Sequence, residues 1–67
     1  MTKFENSIYN YIKKNNGKVT AHQIGTALNV IKYYDETEGD IIKMIIQRMI
    51  KHGVAIELTQ TKYKVKQ

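Results

Sequence analysis

Cysteine, proline and tryptophan are all absent from this 67-residue chain. Without cysteine there is no disulfide and no paired-thiolate metal staple, and a chain so short buries only roughly 60% of the surface it exposes when unfolded. Its stability must therefore come from tight helix packing or from a partner, and a dimer or a larger complex is an open expectation. The lack of cysteine also agrees with a reducing compartment. Apolar runs last only a few residues, too short to span a bilayer, and Met1-Thr2-Lys3 is not followed by the apolar core of a signal peptide. The chain reads as cytoplasmic, with no membrane partner.

Acidic residues are scarce too. Six Asp/Glu stand against eleven Lys/Arg, a formal charge of +5 and a pI near 9.6, basic enough to favour polyanions by long-range attraction. Charge alone fits a merely soluble small domain equally well, so the position of the cations must decide.

The residue types of catalysis are thin. His22 and His52 are the only histidines and lie on different elements, and no Gly-x-Ser-x-Gly or Gly-x-x-x-x-Gly-Lys pattern marks a nucleophile or a phosphate cradle. His22 reads as a solvent-facing first-turn residue and His52 as a partner for the last carbonyls of a helix. Asp35, Glu36, Glu38 and Asp40 form an acidic stretch, but a calcium loop counted from Asp35 needs Gly sixth and Glu twelfth, where this chain has Asp40 and Ile46. The expectation is a non-enzymatic protein with no metal and no cofactor.

Local signals divide the chain into five elements. Thr2-Lys-Phe-Glu5 has the form of a capping box, and Phe4, Ile8, Tyr11 and Ile12 recur on one helical stripe until Asn15-Asn16-Gly17, predicting a first helix over about 3–15. After the lone apolar Val19, Thr20-Ala-His-Gln23 is a second box, with Ile24, Ala27 and Leu28 on one face, predicting a helix over about 21–29. Its end is open, because no Gly or Pro follows before Gly39 and Ile31 would continue the stripe.

Residues Asp35 to Asp40 read as a polar loop leading to a helix capped by Thr37 or Asp40 and stopped at Gly53. In that third helix Ile42, Ile45, Ile46, Met49 and Ile50 fill one arc, Lys43, Gln47 and Lys51 form a polar stripe opposite, and Ile41, Met44 and Arg48 fall between. Beyond Gly53, Ile56 and Leu58 alternate with Glu57, and Tyr63 and Val65 alternate with Lys62, Lys64 and Lys66. Both segments have the period of a half-buried strand. Pairing Ile56 with Val65 and Leu58 with Tyr63 puts the apolar residues on one face, sets Glu57 opposite Lys64 and leaves Thr59 to Lys62 as the tip.

The basic side chains are the better functional lead. Lys62, Lys64 and Lys66 share one strand face, Lys43, Gln47 and Lys51 one helix stripe, and Lys13, Lys14 and Lys18 cluster at the exit of the first helix. Clustered ammonium groups can replace the counterions of a phosphate backbone. The competing reading is that alternating lysines blunt an exposed strand edge against aggregation. Of the five tyrosines, Tyr11 and Tyr63 sit on apolar faces and read as core. Tyr9, Tyr33 and Tyr34 are left for packing or for stacking on unpaired bases.

Helix, short apolar link at Val19, capped helix, loop, long helix and hairpin, in that order, resemble the winged helix-turn-helix domains over nearly the whole chain. The pieces that carry the resemblance are Gly17-Lys-Val-Thr-Ala-His-Gln-Ile-Gly-Thr-Ala-Leu28 and Ile41-Ile-Lys-Met-Ile-Ile-Gln-Arg-Met-Ile-Lys-His-Gly-Val-Ala-Ile56. The fold this implies is α+β and mainly helical, three helices plus a C-terminal β-hairpin, in a single domain over 1–67. Members of this fold serve as DNA readers and as protein-binding modules alike.

By resemblance to the DNA-reading members, Lys43 and Gln47 would face bases, with Lys51, Lys62 and Lys64 on phosphates and Lys66 extending the basic set. Four carboxylates ahead of the third helix would repel a duplex, at on the order of 1 kcal/mol or more per close contact. Phosphate contacts are therefore expected to outweigh base reading, with DNA, duplex or single-stranded, as the partner of a regulator or of a replication or mobile-element accessory. Ile41 and Met44, with Arg48 beside them, exceed what a core needs and suit a protein neighbour, a second copy or a larger partner. The alternative function is thus an accessory subunit of a DNA-processing complex that binds little DNA itself. The leading expectation places the third helix and the lysine-bearing hairpin on one positively charged surface.

Overall fold

Thr2 opens the first helix as its sequence requires. In the computed structural model, which describes residues 1–29 and 36–66, with 36–39 described by backbone alone, α1 spans Lys3–Lys14. The Glu5 amide donates to the Thr2 hydroxyl oxygen at 3.1 Å, and the Thr2 amide donates to the Glu5 carboxylate at 2.8 Å. That second bond, joined by one from the Thr2 hydroxyl, holds the Glu5 carboxyl below its ordinary pKa. The helix closes at Asn15, whose side-chain amide donates to the Tyr11 carbonyl at 3.1 Å, and Gly17 then turns the chain at φ 76°.

Helix α2 spans Ala21–Ala27 and repeats the cap, with Gln23 donating to the Thr20 hydroxyl at 3.3 Å and the Thr20 amide to the Gln23 side chain at 2.9 Å. It stops two residues short of the expected 29. Asn29, at φ 60°, supplies the left-handed residue that Gly more often provides, as Asn can at modest cost. Ile31, Tyr33, Tyr34 and Asp35 lie outside the described residues.

Helix α3 spans Glu36–Lys51, which over 36–40 corrects the loop expected for 35–40. Neither Thr37 nor Asp40 is a cap, since both sit inside the helix. The physical reason is that carboxylates in a first turn face the positive end of the helix dipole and stabilise it, outweighing the cost of about 1 kcal/mol that Gly39 brings. At the far end the Val54 amide donates to the Met49 carbonyl and the Gly53 amide to the Ile50 carbonyl, both at 3.0 Å. With Gly53 at φ 95°, this is a Schellman stop.

Strands β1 (Ile56–Thr59) and β2 (Lys62–Val65) pair antiparallel in the register read from alternation, Ile56 with Val65, Glu57 with Lys64 and Leu58 with Tyr63. Gln60 takes φ 59° in the two-residue turn. On its other edge β2 is also occupied. The Tyr63 amide donates to the Val19 carbonyl at 2.8 Å, the Gly17 amide to the Tyr63 carbonyl at 3.0 Å, and the Val65 amide to the Asn16 side-chain oxygen at 2.7 Å. The link at Val19 is therefore a third, single-bridge strand, and β2 runs down the middle.

One core gathers Ile8 and Ile12 from α1, Val19, Ala21 and Ile24 from the link and α2, Ile42, Ile46 and Met49 from α3, and Ile56 and Tyr63 from the hairpin. The expected stripes hold, but they are narrower than their sequence pattern. Tyr11 and Ile45 are only half-buried, and Phe4, Ile50 and Leu58 are exposed. Leu58 points the same way as Ile56 but lines an open groove against α2 and α3, 54% exposed, and does not reach the core.

Candidate nucleic-acid interface

Pleating divides the hairpin into two faces. Tyr63, 3% exposed, and Ile56 point to the core, so Lys62 and Lys64 point outward with Glu57 across from them, as the period of a strand requires. Lys62 is exposed, whereas the ammonium group of Lys64 sits 3.0 Å from the Glu57 carboxylate. Lys66 follows in the same alternation and donates its backbone amide to the Ala55 carbonyl at 2.8 Å. Lys18, immediately before the bridge residue Val19, enters the sheet beside these lysines, and Lys13 and Lys14 end α1 just upstream.

The middle position of β2 bears on the edge-protection account of its lysines. Edge protection needs an edge, and the amides of Tyr63 and Val65 on the second side of β2 are already bonded. Lysine alternation on an inner strand has no edge to guard.

Helix α3 presents its polar residues elsewhere. Lys43 lines a groove of about 540 Å³ together with Thr20, His22, Asp40, Leu58 and Tyr63, on the inner side of the hairpin and across the pleat from Lys62 and Lys64. Its ammonium group lies 3.9 Å from Asp40 in a loose, exposed i,i+3 pair that is worth little in water. Gln47 and Lys51 line a separate shallow depression with Ile41, Met44, Ile45 and Arg48. The six polar residues singled out in the sequence are all on the surface except for half-buried Lys64, but Lys43 and the β2 lysines occupy opposite sides of the ribbon and do not form one continuous positive surface. The strand pairing of Val19, which adds Lys18 to the outer face, had no local signal beyond one apolar residue between two polar ones.

No catalytic constellation emerges among the described residues. His22 and His52 are both exposed, and among the described residues no three metal-ligating side chains come together. None of the described helices is long and apolar enough to cross a membrane. Comparison with known protein families, curated proteins and solved structures gives no significant match.

Proposed function

We propose that this chain is a small, non-enzymatic winged-helix protein that binds DNA through the phosphate backbone. The observation that carries the reading is the pair Lys62 and Lys64 on β2, continued in the same alternation by Lys66 just past its end, on a strand whose backbone is bonded on both sides. Such a strand fixes the row of backbone positions from which the lysines extend, and ammonium groups clustered along it can replace condensed counterions, with that of Lys64 shared with Glu57. Lys18 stands beside the row on the neighbouring segment. Lys43, across the ribbon from this row, and Gln47 and Lys51, in a separate depression on α3, would make only contacts apart from it. A regulator or an accessory protein in replication or mobile-element biology is the role such binding suits.

The weight falls on phosphate over base edges. Base reading needs forked donors and acceptors on the exposed helix, and on α3 the exposed set is Lys43, Gln47, Arg48 and Lys51 interspersed with Ile41 and Met44. A gel shift with duplex and single-stranded oligonucleotides at low salt tests the reading. Shifts that depend weakly on sequence are expected, and the absence of a shift with either form would overturn it.

A second reading has its own observation. Met44 is 67% exposed and Ile41 45%, more apolar surface than a helix serving phosphate alone requires. On this account the chain is an accessory subunit docked through α3, with DNA binding secondary.

A further inference from the structure

We infer that the outward ridge of α3 is a self-association surface, on which two copies of the chain pack α3 against α3 in antiparallel sense about a twofold axis near Met44. Met44 is the most exposed of the large apolar side chains described, at 67%, and Ile41 beside it is 45% exposed. Both line the shallow depression on α3, together with Ile45 and Arg48. Residues four apart on a helix form one ridge. Asp40, Met44 and Arg48 are such a ridge, all of them exposed.

The ridge is complementary to itself. Its apolar centre has a carboxylate one step to one side and a guanidinium one step to the other, so a second copy running the opposite way sets Asp40 against Arg48 of its neighbour, and Arg48 against Asp40, with Met44 meeting Met44. A parallel copy would set like charges together. This reciprocity is what an isologous twofold contact demands. The Asp40–Lys43 pair within the helix is long and exposed, so Asp40 is available to the second copy at little cost.

The contact is small. A durable interface buries about 1,000 Å² or more in total, and one helix ridge with its flanks falls near or below that, so the dimer forms in the micromolar range or weaker. It leaves the outer face of the hairpin uncovered. The inference therefore does not depend on DNA binding.

Sedimentation velocity of the full chain in about 150 mM salt, taken up to roughly 500 µM, tests it. The expected result is a concentration-dependent passage from monomer to dimer. Asp40→Arg should weaken the dimer about tenfold or more, and the double variant Asp40→Arg, Arg48→Asp should restore it, because the reversed pair is again complementary. Met44→Glu should remove the dimer while leaving the far-ultraviolet circular dichroism unchanged, as befits an exposed position. A chain that stays monomeric at the highest concentration, a dimer that survives Met44→Glu, or one that ignores the single charge reversal would each overturn the inference.

Discussion

The backbone amide of Tyr63 donates to the carbonyl of Val19 at 2.8 Å, and this bond turns the lysine-bearing strand from an edge into the centre of a small sheet. Val19 is the apolar residue between the first two helices, and Tyr63 is the hairpin's largest buried side chain. Their pairing joins the N-terminal half of the chain to the ribbon, so the position of the lysines depends on packing beneath them.

Truncating that packing should be costly. Tyr63→Ala removes a ring that is 3% exposed and leaves a cavity beneath the sheet, for which large aromatic truncations lose about 3–5 kcal/mol. In a domain this small that approaches the whole stability. Urea denaturation should show a midpoint shifted far down or no cooperative transition.

Alkaline pH should act on the same residue. Burial disfavours the phenolate and raises the Tyr63 pKa above its ordinary 10.0, so as pH rises the unfolded chain loses this proton before the folded one does. The stabilisation is whole below the ordinary value and is lost as pH climbs through the raised folded value. Denaturation midpoints between about pH 9 and 11 should fall more steeply for the wild type than for Tyr63→Phe. Parallel curves would remove the effect.

At the ribbon's tip Gln60 holds φ 59° without being glycine. A positive φ at the first of two turn residues suits Gly, and a side chain there costs on the order of 1 kcal/mol. Gln60→Gly should therefore raise stability slightly, by up to about 0.6 kcal/mol once the entropy glycine adds to the unfolded chain is subtracted. A lower melting temperature for this variant would contradict the turn geometry.

The cap of α2 gives a second local test. Thr20 accepts from the Gln23 amide while Gln23 closes back on the Thr20 amide, so Thr20→Ala leaves the Gln23 amide without its acceptor and should cost about 1 kcal/mol. Helix α2 has only seven residues. Its amide protons should consequently exchange faster in the variant than those of α1.

What the sequence made legible was what depends on near neighbours. Both capping boxes involve residues three apart, and the hairpin register follows from the alternation of Ile56, Leu58, Tyr63 and Val65, so each could be read without knowing the rest of the molecule. The end of α2 was missed because Asn29 does glycine's work. The start of α3 was missed because carboxylates read as loop also suit a helix N-terminus. Exposure of Leu58 and the separation of Lys43 from Lys62 and Lys64 were beyond local reading, since both depend on how the helices pack against the ribbon. The bridge from Val19 to Tyr63 spans most of the chain. No periodicity records such a contact.

The salt dependence of oligonucleotide binding tests the DNA-binding proposal most directly. With a fluorescently labelled oligonucleotide, anisotropy titrations of the wild type at several salt concentrations should give a log K that falls linearly with log salt. Lys62→Ala and Lys66→Ala should each reduce the magnitude of that slope by about one, to similar extents on unrelated sequences. Binding that is absent at low salt, or a slope that neither substitution changes, would contradict a phosphate-binding role for the central strand.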